Sequence, residues 1–209
     1  MTDNILVMRQ YMIDLGIPLS QSYRKDLYFD VQLVRRGKDN PNMSAANYTF
    51  KVYYIDSIEL FDKYIDEIKT CCKLFRLRAY ISVNAKSKIE LSEKTLLKYA
   101  EMVTTKEFKK PWRLCDSVNG SLDGDEKRWI LDVDDVNIND SIIKQYVDII
   151  ESCESKYSPI IVLMNPTKTG VHIITHPFNG EKFKNVCENN NLVCPEIKKN
   201  HITLLYENL

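Results

Sequence analysis

The segment RWILDVDD, residues 128–135, constrains the fold more than any other part of the chain. Successive side chains on a β-strand alternate faces. Trp129, Leu131 and Val133 therefore point one way, and Ile130, Asp132 and Asp134 the other. A run that starts apolar on both faces belongs in the middle of a sheet. Two carboxylates side by side on one face repel each other unless something positive lies between them. The strand is thus expected to cross a core and end at an opening where a cation reaches Asp132 and Asp134. A divalent ion that prefers oxygen ligands, Mg²⁺ or Mn²⁺, meets that need. The plain structural alternative is a strand end running into solvent, with Asp134 and Asp135 opening a loop.

Around this segment the pattern alternates between the periods of strand and helix. The first 25 residues read as a short amphipathic helix and a polar connection. Leu27–Arg36 alternates as a half-buried strand does, and Tyr48–Ile55 is rich in β-branched and aromatic residues. The turn cluster GKDNPNMSAAN between them predicts a hairpin. Ser57 caps a helix from Ile58 to about Phe75, with Phe61, Ile65, Ile68 and Cys72 as its apolar stripe. Leu77–Asn84 is a strand. Ser92 opens a helix that turns Leu96, Leu97, Ala100 and Val103 inward, and Pro111–Asp125 reads as a long loop. Asp140 caps a helix to about Cys153. Pro159–Met164 and Val171–Thr175 are strands joined by the turn NPTKTG. A helix over Gly180–Asn190 and a final strand, His201–Tyr206, complete the pattern. Hairpins mixed with crossovers predict an α+β fold, a mixed or antiparallel sheet with packed helices. With no repeat and no Pro/Gly-rich linker, one domain over 1–209 is expected, with halves meeting near residue 125.

Composition narrows the function classes. Hydrophobic residues make up 44% and charged residues 28%, which excludes a disordered chain. Lys plus Arg and Asp plus Glu number 29 each, so a basic coat for non-specific nucleic-acid binding is excluded, while a local basic groove is not. No apolar run is long enough for a membrane span, and the N-terminus lacks the pattern of a signal peptide, so a cytoplasmic protein with no membrane partner is expected. The six cysteines include no C-x-x-C pair, which favours thiols over a zinc site.

Two further groups could carry chemistry. The three histidines are His172, His176 and His201. His172 and His176 share a strand face after the NPTKTG turn, where Lys168 and the N–H groups around Gly170 offer anion binding. His172 could contact a phosphate or hydrogen-bond a catalytic carboxylate; the alternative is a core histidine with one hydrogen bond. Arg76 and Arg78 flank Leu77 and are expected to share a strand face, with guanidinium forks suited to phosphate. The alternative for them is a solvated sheet edge or a pair of surface salt bridges. Arg35, Arg36 and Lys38 end the first strand, and Lys198 and Lys199 read as a solvated turn. There is no GxxxxGK[ST], GxGxxG or GxSxG pattern.

The order of these pieces resembles the archaeo-eukaryotic primase superfamily, the primase-polymerases, in the divergent form found in phages and mobile elements. ILDVDD looks like its Asp-x-Asp/Glu motif and TGVHII like its second, histidine-bearing motif. EIKKNHITLLY stands in the place of the third, with Glu196 where an Asp is expected. The likeness runs from Arg128 to the C-terminus; the first half is matched by topology alone. It implies a palm of the RNA-recognition-motif type, at about 126–209, beside an N-terminal α/β half. It also implies metal-dependent synthesis or extension of a primer from nucleoside triphosphates on a single-stranded DNA or RNA template, alongside replication partner proteins. Asp132, Asp134 and Glu196 would hold Mg²⁺ or Mn²⁺, and Asp132, Asp134 and His172 would be catalytic. Lys168, Thr169, Arg76 and Arg78 would bind the nucleotide and its phosphates. Two other readings stay open. One is a catalytically inactive palm that binds nucleic acid, a nucleotide or a protein. The other is a 2H-type phosphoesterase, because His201-Ile202-Thr203 looks like one of that family's two H-x-T elements.

Overall fold

The computed structural model describes residues 1–20, 26–39, 46–124 and 127–208. Its strands form two antiparallel sheets. In the first, β2 (Leu27–Arg35) and β3 (Tyr48–Ile55) make the expected hairpin, with Phe29 opposite Ile55. The other edge of β2 pairs with β4 (Arg78–Ser82), so β2 is an interior strand. It is buried on both faces rather than half-buried: Phe29, Val31 and Leu33 on one side, Tyr28, Asp30 and Val34 on the other. The sheet is completed by β1 (Thr2–Asp3), the two-residue β5 (Lys86–Ser87) against β2, and β10 (Ile202–Glu207), in the order β1-β10-β4-β2-β3. The chain's last strand, which the pattern assigns to the second half, therefore lies in the first sheet.

The helices α1 (Ile5–Asp14) and α2 (Ile58–Phe75) cover one face of this sheet, with Met8, Met12, Phe61, Ile68 and Cys72 packed on Phe29, Val31, Leu33 and Ile81. The Ser57 hydroxyl accepts from the Leu60 N–H, which starts α2 where the cap predicts. On the opposite face, Lys86 pairs with the fully buried Asp30 at 2.8 Å and donates to the Asn119 carbonyl at 2.9 Å.

That carbonyl belongs to α4 (Leu114–Ser121), which with the Pro111–Arg113 3-10 turn replaces the expected long loop. Leu114, Val118 and Leu122 recur at helical spacing and bury against Met102 of α3 (Lys88–Thr105). α3 starts at Lys88, capped by Ser87 rather than opened by Ser92. The expected inward stripe is wrong: Leu96, Leu97 and Val103 are 70%, 69% and 63% exposed, because α3 packs along its Met102 side only.

The second sheet is built from β6 (Trp129–Asp134), β7 (Ile161–Pro166), β8 (Gly170–Thr175) and β9 (Glu196–Lys199), with α5 (Ser141–Glu151) after β6 and α6 (Gly180–Asn189) after β8. The succession β-α-β-β-α-β in the order β7-β8-β6-β9, antiparallel throughout, is the split βαβ arrangement of ferredoxin-like and RNA-recognition-motif folds. Leu131, Val133, Ile143, Ile150, Val171, Ile173 and Phe183 form its core on the helix side. The other face carries Ile130, Ile174, Asp132 and His172, and Val83 from the first half packs on the two isoleucines. β9 is absent from the sequence expectations because a four-residue strand reading EIKK has little apolar signal. Among the described residues no helix is long and apolar enough to cross a membrane.

The contrast on α3 is measurable by urea unfolding. Met102→Ala should cost about 2–3 kcal/mol. Leu97→Ser should change stability by no more than about 0.5 kcal/mol.

Candidate active-site cleft

The register of β6 against β8 sets Asp132 opposite His172 and Asp134 opposite Gly170. His172 Nε2 lies 3.2 Å from Asp132 Oδ1, and Lys198 Nζ, on β9, donates to Oδ2 at 2.5 Å. The hydrogen bond from His172 outweighs the desolvation of Asp132, and with Lys198 it holds this carboxyl well below the usual carboxylate range. Burial alone would lower the Lys198 ammonium, but its bond to Asp132 raises it instead. Both groups of this pair are therefore charged.

The far side of the His172 ring is held by the first sheet. His172 Nδ1 meets Thr203 Oγ1, on β10, at 2.9 Å. Asn165 donates to the same hydroxyl at 2.7 Å and to the Leu204 carbonyl at 2.8 Å. Asp132 only accepts, so the imidazole directs an N–H from Nε2 toward the carboxylate. Nδ1 shares its hydrogen bond with the Thr203 hydroxyl. Asp132, His172, Thr203 and Asn165 form one chain across four strands, with Thr203 and Asn165 fully buried.

The cleft above this chain encloses about 140 Å³ between the two sheets. Asp132, Asp134, His172 and Lys198 line one wall, and Thr167, Lys168 and Thr169 of the β7–β8 turn form the mouth. The opposite wall holds Arg36, Lys38, Arg78, Tyr80 and His201. Five Lys and Arg side chains against two carboxylates make this lining favourable for an anion. Gly170 makes the mouth possible: a Cβ there would lie 2.1 Å from the Val133 carbonyl oxygen, so only glycine lets β8 start so close to β6. Asp135, just past β6, turns left-handed at φ 57, which takes the third carboxylate off the strand.

The structure thus brings Asp132, Asp134, His172, Lys168, Thr169 and Arg78 to one cleft. It does not bring Arg76, which is the exposed, left-handed cap of α2 at φ 51 and so does not share a strand face with Arg78. Arg78 is itself committed: Nε and an η-nitrogen each donate to Asp39 at 2.7 Å, and Glu207 lies at 3.5 Å. Burial works to raise the Asp39 carboxyl, but Arg78 and then Lys168 hold it below its ordinary value. Glu196 stands in register with Asp132, yet its side chain is 73% exposed and lies 3.5 Å from Lys198. His201 lines the cleft, whereas Thr203 of the same H-x-T run is bound to His172 and Asn165.

Lys198 and Thr203 join the Asp132–His172 cluster, although the pattern assigns them elsewhere. The alternation of EIKK puts Glu196 and Lys198 on one face, which is the signal for Lys198 once β9 is a strand. Asn165 has no comparable signal. Asp132 and Asp134, hard oxygen donors on one face of β6, fit a Mg²⁺ held by one or two carboxylates together with substrate phosphates. Among the described residues no three His, Cys, Asp or Glu gather into a metal-holding group, and Glu196 does not join the pair. Comparison with known protein families, curated proteins and solved structures finds no match to this chain.

Two outcomes follow from the geometry. Asp132 has a lowered folded pKa, so its pairing stabilises the protein above the unfolded value near 3.9, and this contribution is lost as pH falls through the folded value. Asp132→Asn should lower Tm at pH 7, with the difference from the wild type closing progressively below about pH 4 in thermal scans. Gly170→Ala should cost about 2 kcal/mol or more by urea unfolding, because the methyl must push β8 off β6.

Proposed function

We propose that this chain is a nucleotidyltransferase of the primase-polymerase type, joining nucleoside triphosphates to a primer on a single-stranded DNA or RNA template. The observation that carries this reading is the pairing of Asp132 with His172 on adjacent strands of a split βαβ sheet, beneath a turn bearing Lys168 and Thr169. In this reading Asp132 and Asp134 hold Mg²⁺ or Mn²⁺, which when bound supplies charge neutralisation and a more nucleophilic primer hydroxyl. The primer 3′-hydroxyl loses its proton to solvent as its oxygen attacks the α-phosphorus, the bond from that phosphorus to the bridging oxygen breaks, and pyrophosphate leaves. Lys168, the Thr169 hydroxyl and the cations of the opposite wall bind the triphosphate and offset the charge that builds on it. His172, fixed by Thr203, keeps Asp132 ionised and oriented. The narrow basic cleft, in a chain of zero net charge, supports a local nucleotide site over a general nucleic-acid coat.

One observation favours a second reading, an inactive palm that binds a nucleotide, nucleic acid or protein. Both oxygens of Asp132 already hold cationic or hydrogen-bonding partners. The phosphoesterase reading has less support, since the Thr203 hydroxyl is turned to His172 rather than left for a substrate.

Primer extension with Mn²⁺ and a labelled template separates these readings. Asp132→Ala/Asp134→Ala should reduce extension by about 1,000-fold or more while leaving the fold intact by circular dichroism. Template binding that survives chelation, with no extension by the wild type, would instead establish the binding module.

A further inference from the structure

Lys198 holds the position a cation would take on Asp132. Its ammonium lies 2.5 Å from Oδ2, while His172 Nε2 lies 3.2 Å from Oδ1, so each oxygen already holds a partner that competes with a metal in this arrangement. The lysine is also within 3.5 Å of Glu196, on the side of Asp132 facing β9. It therefore neutralises Asp132 from the cleft side and is held there by Glu196, which stays outside the cleft. A divalent ion at Oδ2 would meet a like charge at close range in a half-buried cleft, where screening is weak.

Lys198 is equipped to leave. It is a compact charge on a flexible four-carbon stem, its side chain is 23% exposed, and it lines the same cleft as Lys168 and Thr169. A phosphate chain between the two sheets would compete with Asp132 for this ammonium, since lysine binds phosphate as a point charge.

We propose that Lys198 is a built-in counter-cation that closes Asp132 to divalent ions until a polyphosphate draws it away. The exchange is one of ion pairs: the Lys198–Asp132 contact breaks, a Lys198–phosphate contact forms, and Oδ2 becomes free to take a metal. Polyphosphate and metal then bind in support of each other, with the anion first. This rests on the reading of Asp132 and Asp134 as the metal pair, but its signature is separable from that reading.

The probes are Mn²⁺ alone and inorganic tripolyphosphate alone, each measured by calorimetry on the whole chain, with Tm taken for every variant. Lys198→Met should bind Mn²⁺ about tenfold or more tightly than the wild type, and tripolyphosphate about tenfold or more weakly. Lys198→Arg, which keeps the charge, should stay within about threefold of the wild type for Mn²⁺. A lysine that merely supported the fold would move both affinities the same way, or neither. If Lys198→Met binds Mn²⁺ no more tightly than the wild type, while Asp132→Ala/Asp134→Ala abolishes that binding, the counter-cation role is overturned and the metal pair stands. If neither the wild type nor Lys198→Met binds Mn²⁺, both ideas fall.

Discussion

A carboxylate on an interior strand must be neutralised or it will not stay ionised there, and most of the cleft follows from how this is done for Asp132. β8 on one side supplies His172, and β9 on the other supplies Lys198. Each partner arrives because the split βαβ order places β6 between those two strands. The histidine in turn needs a partner for its second nitrogen, and Thr203 provides it from the other sheet. A single half-buried charge thus links the two sheets through a continuous series of hydrogen bonds.

Other contacts between the halves are also polar and local. The Asn4 amide donates to the Pro166 and Leu204 carbonyls at 2.9 Å, and the Arg128 N–H donates to the Asn84 side-chain oxygen at 2.7 Å. Apolar packing across the junction sets Val83 on Ile130 and Ile174, and Val162 and Leu163 of β7 against the first core. The large cores lie on the outer faces, beneath α1 and α2 on one side and α5 and α6 on the other. The space between the sheets is therefore free to hold charge, which is what an anionic ligand needs. The return of β10 to the first sheet ties the second half to the first at both of its ends, and it carries Thr203 with it.

The legible parts of the chain share one property: their signal is local. Ser57 capping α2, the alternation of Tyr48–Ile55, and the two faces of WILDVD need only a few neighbouring residues to be read. The misread parts depend on what lies opposite. α3 carries apolar residues on more than one side, and only its contact with α4 selects Met102 over Leu96 and Leu97. Arg76 and Arg78 have the spacing of strand neighbours, but α2 runs on to Phe75 and leaves Arg76 as its cap.

By itself the sequence determined the α+β succession of elements, the side-by-side placement of Asp132 and Asp134, and the candidacy of His172 and Lys168. These follow from periodicity and residue chemistry, which act within a strand or a turn. Tertiary structure alone decided that Asp132 meets Lys198 and His172, that Arg78 is bound to Asp39, and that Glu196 stays outside the cleft. Ion pairs form between groups brought within a few ångströms, and pairing register and sheet order set those distances across separations of 39 to 66 residues. Nothing in the spacing of residues along the chain encodes them directly.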